Sequence, residues 1–261
     1  MRRFFVVALR VSLNGAVKAV LAVLICLGLT KAGDAQAPPR APQSTNLRRH
    51  LVPPPDVPAR DAGDPAHRML VGNSQVRAFR VEVAPHATTA SAQHGHDYFV
   101  VAIDASRVRM LTGGRQFSFE MQRGDVQVMK GGWPHRVCND SENELRVVEV
   151  EVARGIDPEH ALCGIGGHSC SDSAFGRSER GNYLRTTLME TGSIKVHRVQ
   201  LDAGVELPHF ATAGEAMVVA LSDVNTATLH LHAGEAGWEP RSTHLANSGA
   251  EPAEFLLLEW K

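Results

Sequence analysis

Val76 to Val83 reads VRAFRVEV, and 118 residues later Ile194 to Leu201 reads IKVHRVQL. At the same offset Phe99 to Asp104 (FVVAID) is answered by Met217 to Ser222 (MVVALS). Gly124-Asp125 corresponds to Gly234-Glu235, and Val148-Glu149-Val150 to Leu258-Glu259-Trp260, both at an offset of 110 because the intervening hairpin is shorter. One module therefore occurs twice, in the same strand order, and the chain is a tandem repeat.

Working outward from the first copy, short β-rich runs are separated by turn signals, with almost no helical periodicity. Val76–Val83, Tyr98–Ile103, Val108–Leu111, Phe117–Met121, Val126–Met129 and Leu145–Val152 read as strands. Thr112-Gly113-Gly114-Arg115 and Arg123-Gly124-Asp125 read as turns between them. Many short strands with glycine turns predict an all-β protein built as a sandwich or barrel, here twice over.

The 261 residues, 43% apolar with a formal net charge of -1, describe an ordinary globular protein and give no sign of a nucleic-acid partner. Residues 1–37 read as a secretory signal: Arg2, Arg3, Arg10 and Lys18 precede an apolar run from Ala19 to Leu29, and Ala35-Gln36-Ala37 gives a small-x-small cleavage pattern. That run is short for a spanning helix, so no stable membrane span is expected after cleavage. The predicted location is periplasmic or secreted. Residues 38–67, crowded with proline, read as an extended tether. The first module is then 68–152, a Gly- and Ser-rich connector 153–184, and the second module 185–261. Cys163 and Cys170 flank a flexible run suited to a disulfide, which an oxidising compartment permits, and Cys138 lies in a strand-like run as a buried thiol.

The chemistry-bearing stretch is His94-Gly95-His96-Asp97-Tyr98, read with Lys130-Gly131-Gly132-Trp133-Pro134-His135. If His94 and His96 lie on a strand, they share one face, and a third ligand must come from a neighbouring strand. His135 is the candidate, and His94, His96 and His135 together could hold a divalent ion (Fe, Mn, Zn, Ni or Cu) with positions left for water or a small-molecule substrate. Asp97 and Tyr98 are the candidates for assisting proton transfer; Asp97 could equally orient a ligand imidazole or cap a turn.

These residues resemble the cupin superfamily. Its second motif runs Gly, five residues, Pro-x-Gly, two residues, His, three residues, Asn; here Gly124, Lys130-Gly131-Gly132, His135 and Asn139 reproduce it with only the proline replaced. The first motif, Gly, five residues, His-x-His, three or four residues, Glu, is matched less well. No Glu follows His96 at that distance, and Thr88 stands for the leading Gly. A second register sets the second motif histidine at His94 and the Glu at Tyr98, leaving Ala92 where the first histidine belongs. Both registers stay open. The resemblance covers nearly everything from Arg68 to Lys261 and implies a bicupin: two tandem β-barrels of double-stranded β-helix, jelly-roll-like form, with oxygenase, decarboxylase or isomerase chemistry among the activities such proteins perform. Non-catalytic ligand binding is the alternative role. Such barrels also pair through edge strands, so a homo-oligomer is possible by analogy.

In the second module Thr212 and Gly214 stand where His94 and His96 stand in the first. His209, Glu215 and His244 could form a 2-His-1-carboxylate triad, against the simpler reading of a degenerate module kept for packing. His230 and His232 alternate with leucines as a solvent-facing row.

Overall fold

The five strands of the first module's larger sheet recur in the second module, joined in the same order. The computed structural model describes residues 66–165, 170, 173–207, 215–239 and 245–261. The leader, nearly all of the proline-rich stretch, His209 and His244 lie outside the described residues.

The first module contains β1 (His67–Gly72), β2 (Val76–Val83), β3 (Ala92–Gln93), β4 (Tyr98–Ala102), β5 (Ser106–Thr112), β6 (Arg115–Met121), β7 (Val126–Met129), β8 (Pro134–Asn139) and β9 (Leu145–Val152). These form a five-stranded sheet in the order β1-β2-β9-β4-β7 and a four-stranded sheet in the order β3-β8-β5-β6, with every pairing antiparallel. Gly113 and Gly114, both at positive φ, make the two-residue turn between β5 and β6. Between the sheets Phe79, Val81, Val83, Tyr98, Val100, Val108, Met121, Val137, Leu145 and Val147 fill the barrel interior.

The second module contains β10 (Ser173–Ser178), β11 (Gly181–Glu190), β12 (Ile194–Leu201), β13 (Ala216–Ala220), β14 (Val224–Asn225), β15 (His230–Leu231), β16 (Ala236–Glu239) and β17 (Ala253–Trp260). Its main sheet runs β10-β11-β12-β17-β13-β16. β10 and the start of β11 fall in the stretch read as a connector, as does a single 3-10 turn at Pro158–His160. Cys163 and Cys170 are bridged, and Cys138 is a buried thiol. No described helix is long and apolar enough to cross a membrane.

The pairing registers correct the sequence offset of the last strand. Val76 faces Val152 across β2 and β9, and Ile194 faces Trp260 across β12 and β17. Val152 thus corresponds to Trp260, an offset of 108 rather than 110. Asn139 and Asn247 fix this independently. Asn139 donates through Nδ2 to the carbonyls of Val83, Ala84 and Asn143 and accepts from the Ser141 N–H. Asn247 makes the same four bonds with Leu201, Asp202, Glu251 and Gly249. A buried side chain with both its amide donor and its acceptor engaged locks the hairpin register. The first strands match too: β1 and β11 both carry a bulge against their partners, after Met69 and after Thr187, 118 residues apart.

The two barrels meet back to back. Val76, Ala78, Phe99, Val101, Val148, Val150 and Val152 point away from the first barrel's interior. They pack against Ile194, Val196, Met217, Val219, Leu256, Leu258 and Trp260 of the second.

Candidate metal centre

Alternation along β9 sets Glu149 and Glu151 on the same face as Leu145 and Val147, so both carboxylates enter the first barrel's interior. Their exposure is 1% each. Buried carboxylates require polar or charged partners. Glu149 finds them in His94, whose Nε2 lies 2.8 Å from Oε2, and in His67 at the start of β1, whose Nε2 lies 3.3 Å away. His135, at the start of β8, completes the group, its ring 5.3 Å from that of His94. One ligand atom from each of His67, His94, His135 and Glu149 lies within 4.8 Å of all the others.

Of the residues singled out in the sequence, the structure brings together His94 and His135. His96 stands apart and exposed, because His94–Asp97 is a turn between β3 and β4 and the face-sharing of alternate strand residues does not apply. Asp97 closes that turn onto the β7–β8 loop: its carboxylate accepts from Lys130 Nζ at 2.9 Å and from the Gly131 N–H at 3.1 Å. Gly131 fits because it has no side chain, since a Cβ there would lie 2.2 Å from the His96 carbonyl oxygen. Tyr98 is buried inside the barrel, its ring 4.1 Å from His94 and 5.8 Å from His135. Ala92 pairs with His135 across β3 and β8. This is the register in which Ala92 and Tyr98 occupy motif ligand positions without supplying ligands. His67 and Glu149 bring a nitrogen and a carboxylate to the group from other strands.

Sequence reasoning missed both. His67 closes the proline-rich stretch, and its strand joins the barrel through a tertiary register that pairs it with Val81. Glu149 did carry a signal, since an acid spaced two residues from another in an otherwise apolar strand has to be buried with a partner.

Electrostatics set the protonation states a metal requires. Burial opposes ionisation of Glu149, but His94, His67 and His135 outweigh it and hold the carboxyl well below the usual range. Burial also lowers the His135 pKa, against the pull of Glu149. An ionised carboxylate beside a neutral imidazole is ligand chemistry. His135 Nε2 is buried with no hydrogen-bond partner among the described residues, a costly arrangement that an ion would relieve. Bonds of about 2.0–2.2 Å place opposite ligand atoms about 4.4 Å apart at most, so slight side-chain movement closes the group on an ion. The residues fit a divalent metal. Tyr98 is pushed well above its ordinary value by burial and by Glu149 and Glu151, so the phenol keeps its proton.

Among the described residues the second barrel shows no such set. By register Arg185 stands for His67 and Leu257 for Glu149. Counting back four residues from Asn247, as His135 lies four before Asn139, reaches Thr243 rather than His244. Glu215 accepts a hydrogen bond from Gln75 of the first module. His230 and His232 are exposed. A cavity of about 510 Å³ lies at the β5–β6 hairpin tip, but Leu111, Gln116 and Arg136 in its wall are register partners on the sheet face opposite the barrel interior.

A β-barrel with a buried three-histidine, one-glutamate group defines a metal-binding barrel protein. No family profile matches the chain. It is similar to the beta-alanine degradation protein BauB of Pseudomonas aeruginosa, at 32% identity over 82 residues, 31% of this chain and 86% of BauB. Among solved structures it is similar to a cupin domain from Bordetella pertussis at 24% identity, covering 33% of this chain and 90% of that one, with a TM-score of 0.31. AerE from Microcystis aeruginosa is 12% identical, covering 76% and 98%, with a TM-score of 0.48. A point mutant of Bacillus subtilis oxalate decarboxylase is 13% identical, covering 71% and 68%, also at 0.48. The chain thus has a fold of tandem cupin-type β-barrels, and over 82 of its residues it belongs with BauB.

Proposed function

We propose that the protein performs metal-dependent chemistry on a small molecule in its first barrel, with His67, His94, His135 and Glu149 as the ligands. The observation that carries this is the convergence of four metal-ligating side chains from β1, the β3–β4 turn, β8 and β9 on one point. A bound divalent ion would supply Lewis-acid polarisation of a substrate oxygen or a water of lowered pKa. Glu149 offsets part of the ion's charge. Tyr98, protonated and packed with its ring tilted against His94, is placed to donate a proton or hydrogen bond, whereas Asp97 is occupied with Lys130 and Gly131. The name of BauB ties that relative to degradation of a small amino acid, which agrees with a small-molecule substrate. Export to the periplasm or beyond belongs to the same proposal, supported by the Cys163–Cys170 disulfide and the leader-like first 37 residues.

The test is elemental analysis of the purified protein, which should find about one equivalent of a divalent transition metal, lost in His135→Ala. Absence of metal from protein refolded with each candidate ion would end the reading. A non-catalytic role is favoured by one observation: the ligand residues are buried to 1–3% exposure, His67 by its side chain, and four protein ligands can close a site. Activity screening of the metal-loaded protein separates the two.

A further inference from the structure

We propose that Glu151 is a positioning residue of this centre, holding the His94 imidazole so that Nε2 faces the ligand group. The inference rests on the metal reading above and goes beyond its ligand set. Glu151 sits two residues after Glu149 on the same face of β9 and is equally buried. Its Oε1 accepts the His96 N–H at 2.8 Å, which ties down the turn carrying His94. Its Oε2 lies 3.7 Å from His94 Nδ1 and is paired with the Arg77 guanidinium. Glu149 meets the other ring nitrogen, Nε2, at 2.8 Å. The two carboxylates of β9 thus lie at opposite edges of one imidazole.

A carboxylate facing Nδ1 favours the tautomer protonated there, which leaves the Nε2 lone pair for an ion and raises its basicity. Gly95 leaves the carboxylate uncrowded, since a Cβ at that position would lie 3.3 Å from Glu151 Oε1. The repeat argues the same way. Glu259, the register counterpart of Glu151, faces His197 Nε2 at 3.3 Å, while Thr187 Oγ1 lies 3.0 Å from His197 Nδ1. Leu257 has replaced the counterpart of Glu149, yet the acid at this position still holds a histidine.

The test uses zinc as the probe. Glu151→Gln keeps an acceptor for the His96 N–H and nearly the same volume but removes the charge. Chelator competition should show zinc affinity reduced about tenfold to hundredfold. Nitrogen-15 NMR of the zinc form should show that the His94 ring no longer holds the single Nδ1-protonated tautomer of the wild type. Glu151→Asp, which keeps the charge but withdraws it by one methylene, should fall between the two. A purely structural clamp predicts instead that Glu151→Gln binds like the wild type with an unchanged tautomer, and that result overturns the proposal. Wild-type protein that takes up no zinc would remove the metal reading and this inference together, a different outcome from a variant that matches the wild type.

Discussion

His67 Nε2 lies 3.3 Å from Glu149 Oε2, joining the first strand of the barrel to the last inside an apolar interior. Among the described strands β1 lies at the sheet edge beside β2, so a ligand on it makes metal occupancy and strand docking interdependent. Chelation should make β1 more susceptible to limited proteolysis, with cleavage near Met69, which is exposed, and added metal should restore protection. His67→Ala should show the chelated pattern even with metal present. Equal protection with and without metal would show that β1 docks independently.

His96→Ala should leave metal content unchanged, whereas His94→Ala, His135→Ala and Glu149→Gln should each lower affinity by at least about a hundredfold, beyond what loss of a neighbouring supporting group costs. Elemental analysis after dialysis against a weak chelator distinguishes the two sets. Metal loss in His96→Ala alone would mean that the turn rearranges around the ion.

Gly131→Ala introduces a Cβ at 2.2 Å from the His96 carbonyl oxygen, so the two loops have to separate. His94 donates no ligand atom to that contact, but its carbonyl accepts the Gly132 N–H at 2.7 Å and it moves with the turn. The variant should bind metal at least about tenfold more weakly, as supporting-shell changes do. The measurement is the same chelator competition.

Asn139→Ala and Asn247→Ala each strand buried carbonyls that the amide now satisfies, and each should cost about 2–3 kcal/mol in urea unfolding. Similar losses at the two positions are expected because the bonding pattern is repeated. Only Asn139→Ala should weaken metal binding as well, since only its hairpin carries a ligand.

Acidity should destabilise the metal-depleted protein. Burial lowers His135 below its ordinary 6.5, so an unfolded chain takes up the proton at higher pH than the folded one. The contribution is complete above about pH 6.5 and is lost as pH falls toward the depressed folded value. Chemical denaturation from pH 8 downward should show stability declining below that point, and His135→Gln should flatten this part of the profile.

How far the sequence revealed the centre depended on which forces were local. Apolar, β-prone runs such as Tyr98–Ala102 and the glycine turn at Gly113-Gly114 are local, and both the strands and the tandem repeat are legible from them. His94 and His135 were named because imidazoles beside glycine turns stand out. His96 was paired with His94 on the assumption of a strand that the chain interrupts with a turn. His67 depended on a register with Val81 that no local pattern encodes. The offset of the last strand was misjudged by two residues because Glu149 and Glu259 look alike in sequence, while Asn139 and Asn247 show that Glu259 answers to Glu151.

The seam between the barrels gives the second copy a part to play independent of any chemistry of its own. Val76, Val101, Val150 and their partners Ile194, Val219 and Leu258 are each under 2% exposed only because the opposite barrel covers them. Deleting the second copy would present water with a broad oily plane, and the surviving half would clump before it could bind anything. The second copy's back is thereby held to its oily character whatever side chains occupy its interior.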